Sequence, residues 1–120
     1  MKNFTQLFFV ILLIPFLSIG QASLNMVQIG NLSYNQDLND IWGYVDHDGN
    51  EHALVGCANG FSYVNISDPF SPEEVFFVPG TNSVWRDIKT WDHYAYITTE
   101  AADGLLIVDL DDLSGQTYTY

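Results

Sequence analysis

Positive charge is nearly missing from this chain. Three Lys or Arg residues stand against 15 Asp or Glu in 120 residues, a formal net charge of −12. Nucleic-acid binding draws its affinity from cations that neutralise phosphates, so that function class is excluded. A polybasic surface for anionic lipid is excluded by the same shortage. Cysteine is as scarce. Cys57 is the single one, so no disulfide can close within the chain. It lies in the run Ala53-Leu54-Val55-Gly56-Cys57-Ala58, where a small buried hydrophobe is the expected role. A reactive thiol needs a cation or histidine beside it, and His52 would sit about 16 Å away along a strand. Also missing are sustained helical periodicity, a Gly-x-Ser-x-Gly elbow, a phosphate loop and a dinucleotide fingerprint. Disorder does not account for these absences, because 48% apolar and 15% aromatic residues can furnish a core.

What is present begins with a leader. Lys2 precedes the apolar run from Leu7 to Leu17, and small residues follow at Gly20 and Ala22. This pattern predicts a signal peptide over residues 1–22, cleaved between Ala22 and Ser23, and a secreted or cell-surface protein. The run is shorter than the roughly 20 residues of a comfortable bilayer span. No transmembrane span is expected in the mature chain.

After the leader come short runs rich in β-branched and aromatic residues, separated by turn residues. They are Asp40–Val45, His52–Ala58, Phe61–Ile66, Glu74–Val78, Val84–Trp91, Tyr94–Thr99 and Leu105–Leu110. Asp48-Gly49, Asn59-Gly60 and Asp103-Gly104 offer the positive φ that tight hairpins require. The predicted class is all-β.

The runs also repeat. Asp40-Ile41 aligns with Asp87-Ile88, Ala53 with Ala95, Gly60 with Gly104 and Val64 with Val108, at offsets of 47, 42, 44 and 44 residues. A period in the forties holding about four strands is the signature of a propeller blade. The expected organisation is a lead-in over 23–39, a first blade over 40–80 and an incomplete second blade over 81–120. These would be about two four-stranded antiparallel blades of an incomplete β-propeller. Leu105-Leu106-Ile107-Val108 is apolar at every position, so both faces of that strand should be covered. Two blades cannot close a ring, which leads to the expectation of a longer protein with further blades beyond Tyr120.

Leu105-Leu106-Ile107-Val108-Asp109 resembles the LVIVD repeat, departing only at the second position. Phe61-Ser62-Tyr63-Val64-Asn65 is a weaker copy, and its continuation through Asp68, Pro69 and Pro72 is similar to the D-P-x-x-P junction of that repeat. Asn39–Tyr44 and Ser83–Thr90 resemble the start of the choice-of-anchor B proteins. The resemblance spans about Leu38 to Leu113. It implies an exported bacterial β-propeller, and it supplies no catalytic residues.

Asp46, Asp48 and Asn50 place oxygens at alternate positions, as a Ca²⁺ loop does. The glycine falls at the fourth position and Cys57 at the twelfth, so a solvated hairpin tip is expected instead. His47 and His52 lack a third zinc ligand at useful spacing. Trp85, Arg86 and Lys89 lie on the innermost strand of the second unit. Inner strands line a propeller's channel, so these three are candidates to face an anionic ligand, although Arg86 and Asp87 could simply pair with neighbouring charges. No metal or cofactor is expected. The expected function is an extracellular binding scaffold for an unknown ligand or surface polymer. The alternative is a hydrolase or lyase whose active site lies mostly in missing blades.

Overall fold

The computed structural model describes residues 26–102, 104–115 and 117–119. The expected signal peptide lies outside them. All regular structure among the described residues is β. The first sheet takes Leu38–Val45 (β1), Glu51–Cys57 (β2), Gly60–Asn65 (β3) and Glu73–Pro79 (β4), antiparallel in chain order. The second takes Arg86–Trp91 (β5), Tyr94–Thr99 (β6) and Leu105–Asp109 (β7), with the short strand Thr117–Thr119 (β8) on its edge. The expected runs match these strands to within two residues at every end.

The turn chemistry is mostly as the residues dictate. Gly49 and Gly104 carry φ of 85° and 73°, the left-handed values a glycine adopts without strain. Gly60 departs from expectation: it opens β3 rather than forming the turn. Its missing side chain serves packing, because a Cβ there would lie 2.3 Å from the Val78 carbonyl oxygen. The β5–β6 hairpin is two residues long, with Asp92 at φ 54°.

Alternation along the strands sorts side chains onto two faces. Leu54, Phe61, Tyr63 and Val78 of the first sheet pack against Ile88, Ala95, Ile97, Val108 and Leu110 of the second. Each large apolar side chain fully buried here stabilises the fold by roughly 1.5–3 kcal/mol. Val55, Cys57 and Val64 lie on the opposite face of the first sheet, covered by Leu32 and Tyr34 of the lead-in. Both faces of β2 and β3 are therefore buried, which explains their nearly unbroken apolar runs.

The second sheet differs. Leu106 and Val108 join the shared core, while Leu105 and Ile107 on the other face remain half-buried. The expected cover on both sides of this strand is present on one side only. The repeat gives this free face a meaning. At offsets of 42 and 44 residues, Tyr96, Leu105 and Ile107 are the positional copies of Leu54, Phe61 and Tyr63, the residues with which the first sheet packs on the second.

The two sheets are tied along their first strands, β1 and β5. Trp42 Nε1 donates to Thr90 Oγ1 at 3.1 Å, and Asn39 Nδ2 donates to the Ser83 carbonyl at 3.2 Å. The close backbone approaches between the sheets are those of β1 and β2 to β5.

Candidate functional site

Of the three residues expected on an innermost strand, Arg86 and Lys89 lie on β5 and Trp85 just before it, and their placements differ. Arg86 is 6% exposed. Its Nε donates to the Cys57 carbonyl at 2.8 Å and its Nη2 to the Thr81 carbonyl at 2.5 Å. The guanidinium thus clamps the end of β2 to the segment leading into β5, and its donors point into protein rather than solvent. Lys89 is exposed. Its ammonium donates to Asp87 at 2.7 Å and to the Ile88 carbonyl at 2.9 Å, and lies 4.6 Å above the Trp42 ring. Trp85 is 68% exposed, its backbone held on both sides by the Ser83 hydroxyl. The three side chains do not converge.

The motif residues act on turns. Asp68 Oδ1 accepts the Phe70 N–H at 3.0 Å, and the Asp68 carbonyl accepts the Ser71 N–H at 3.1 Å. Pro69 and Pro72 follow against Gly30, where a Cβ would lie 2.1 Å from the Pro69 carbonyl oxygen. Leu105, Leu106, Ile107, Val108 and Asp109 together form β7. Asp109 Oδ1 accepts the Asp111 N–H at 3.0 Å, as Asn65 Oδ1 accepts the Ser67 N–H at 2.8 Å. The last residue of both repeat copies is therefore an Asx turn former.

The turn after β1 is organised by one carboxylate. Asp46 Oδ1 accepts the N–H groups of Asp48 at 3.0 Å and Asn50 at 2.8 Å. Its Oδ2 accepts the Asn50 amide at 2.9 Å and meets His52 Nε2 at 3.1 Å. The Asn50 side chain, foremost among these partners, helps hold the Asp46 carboxyl well below the usual carboxylate range. This carboxylate is spent on its own turn. Among the described residues no three His, Cys, Asp or Glu side chains are grouped to hold a metal ion. Burial pushes the Cys57 thiol up from its ordinary value, in keeping with an unreactive packing role.

Next to this turn lies a chemically unusual place on the seam between the sheets. His52 is 5% exposed and stacks on Tyr63, with ring centroids 4.7 Å apart. Tyr63 is fully buried and leans on Phe76 at 5.0 Å. His52 Nδ1 and the Tyr63 hydroxyl are buried without a hydrogen-bond partner, an arrangement that costs free energy and is rare in folded proteins. Burial, and then the nearby Tyr44, Asp46 and Asp111, push the Tyr63 hydroxyl far above the ordinary tyrosine value. His47 Nδ1 reaches across the seam to Asp111 Oδ1 at 3.6 Å. These groups border a cleft of about 480 Å³.

Sequence reasoning singled out Asp46–His52 as a loop but missed the partnership with Tyr63 and Asp111. Those residues lie 11 and 59 positions beyond His52 and only the packing of the sheets unites them. One signal was available: His52 precedes Leu54 by two on an apolar strand, so it must share the inward face. A second, larger groove of about 780 Å³ lies between the lead-in and the outer face of the first sheet, with Leu32, Val55 and Val64 among its walls. No family model, curated protein or solved structure matches the chain.

Proposed function

We propose that the chain forms two blades of an exported β-propeller of the LVIVD, choice-of-anchor B kind. Its function is that of an extracellular or cell-surface binding scaffold. The observation that carries this is the reuse of one packing face. The face that the first sheet buries against the second recurs, position for position, as the half-buried face of Tyr96, Leu105 and Ile107. A unit that presents again the surface it has just used is built for serial stacking. The matched Asx turns at Asn65 and Asp109 support the same unit, and so do the adjacent inner strands. Exposed aromatics give the scaffold a recognition surface: Trp85 at 68%, Trp91 at 77%, and Trp42 beneath Lys89.

The test is to produce the chain with its native leader and sequence the secreted N-terminus, which should begin at Ser23. The secreted protein is then incubated with insoluble cell-surface polysaccharides of the producing bacterium. Retention on the polymer that falls in Trp85→Ala, with polymer length unchanged, supports the scaffold. Shortening of the polymer would point to the hydrolase or lyase alternative.

A further inference from the structure

The cleft beside the Asp46 turn has a specific shortage, and the shortage identifies what it would take. Its floor holds two buried polar atoms without a partner, His52 Nδ1 and the Tyr63 hydroxyl. In a neutral His52 ring, the 3.1 Å contact of Nε2 with Asp46 Oδ2 places the proton on Nε2 and leaves Nδ1 as an acceptor. The Tyr63 hydroxyl, which can both donate and accept, is the second orphaned group on this floor. At the mouth the Asp111 carboxylate is half exposed, with His47 at 3.6 Å. His52 Nδ1 and the ionised Asp111 carboxylate accept, and the Tyr63 oxygen can accept as well, so an occupant that donates hydrogen bonds answers all three.

Charge narrows the choice further. The chain carries −12 overall, and a cleft edged by carboxylates concentrates that field on a cation. A bare metal ion fits poorly, because no three ligating side chains are grouped and Val75, Leu110 and Leu113 supply apolar walls. An ammonium or guanidinium on a short apolar stem fits both parts: the head meets the acceptors and the stem meets the leucines.

We propose that this seam cleft binds an organic cation, a primary ammonium or guanidinium on a short apolar stem, through His52, Tyr63 and Asp111. Such a group is carried by free amines and by the Lys and Arg side chains of extracellular peptides. The proposal deepens the scaffold reading by naming a ligand class. Its readout is local to the seam, so it can fail without touching export or blade stacking.

The experiment is an NMR titration of the secreted chain, starting at Ser23. The probes are n-butylammonium chloride, methylguanidinium chloride and N-acetyl-lysine methylamide, with 1-butanol and sodium chloride at matched ionic strength as controls. Saturable shifts at His52, Tyr63 and Asp111 with the cations, and not with the controls, are expected. Response to the lysine derivative alone would assign the source to peptides, and response to the simple cations as well would admit free amines. Tyr63→Phe removes the orphaned hydroxyl without changing the ring and should weaken binding at least tenfold. Asp111→Asn, on the half-exposed loop, should weaken it several-fold and decides the matter if Tyr63→Phe does not fold. Equal response to 1-butanol, shifts reproduced by sodium chloride or by calcium chloride, or undiminished binding in the folded variants would overturn the proposal.

Discussion

The carboxylate of Asp40 accepts the backbone N–H of Ile88 at 2.8 Å. Asp40 stands on β1 and Ile88 on β5, the inner edge strand of the other sheet. An edge N–H has no ladder partner, and here a side chain from the neighbouring sheet fills that place. Removing the carboxylate with Asp40→Ala should cost about 1.5–3 kcal/mol, the range for hydrogen bonds to charged groups. Asp40→Asn keeps an acceptor oxygen and should lose less than half as much. Urea denaturation followed by tryptophan fluorescence reads both.

Arg86 makes another tie between the units through the Cys57 carbonyl, and also holds the Thr81 carbonyl of its own unit. Arg86→Met removes both of these hydrogen bonds in a buried setting and should destabilise by about 2–4 kcal/mol. Arg86→Lys should recover only part of this, since an ammonium cannot reproduce the planar fork. The same denaturation series measures the pair.

Two glycines make opposite predictions. At Gly60 a Cβ would lie 2.3 Å from the Val78 carbonyl oxygen and 2.6 Å from the Phe77 ring, so Gly60→Ala should cost at least about 1–3 kcal/mol of overpacking. At Gly43, within β1, a Cβ meets nothing within 4 Å. Gly43→Ala should instead stabilise by about 0.4–1 kcal/mol, because it narrows the unfolded ensemble. Thermal melts of the two variants should move in opposite directions.

Acid should find the Asp46 turn. The Asn50 side chain, with the His52 ring and the Asn50 and Asp48 N–H groups, depresses this carboxyl in the folded state. A depressed folded value means that its stabilisation is complete above the unfolded value, near 4. It declines as the pH falls below that point toward the lower folded value. Stability measured between pH 6 and pH 2 should therefore drop, and Asp46→Asn should show a shallower drop across pH 4 to 2 from a lower plateau. An unchanged acid limb in Asp46→Asn would rule out the turn as a contributor.

Strands and their pairing order were legible because local patterns carry them. β-branched runs, Asp-Gly turns and a period in the forties are all visible without knowing what touches what. The uses of individual polar residues were less so. Arg86 reads as a free cation in an acidic chain, yet it is consumed by carbonyls 29 and 5 residues away. Carbonyls have no residue type, so no side-chain motif announces them. Gly60 reads as a turn glycine because Asn59 precedes it, whereas its role is set by Val78 on the adjacent strand. The seam cleft was illegible for the same reason: His52, Tyr63 and Asp111 meet only because one sheet lies on the other.

The ties between β1 and β5 have a geometric consequence. Asn39, Asp40 and Trp42 all reach the second unit along one edge, and β1 and β2 are the strands whose backbones come near β5. Sheets pinned along one margin and less closely held along the other make a wedge rather than a slab. Were further units added in succession, as the proposed propeller requires, such wedges would turn steadily toward the pinned margin.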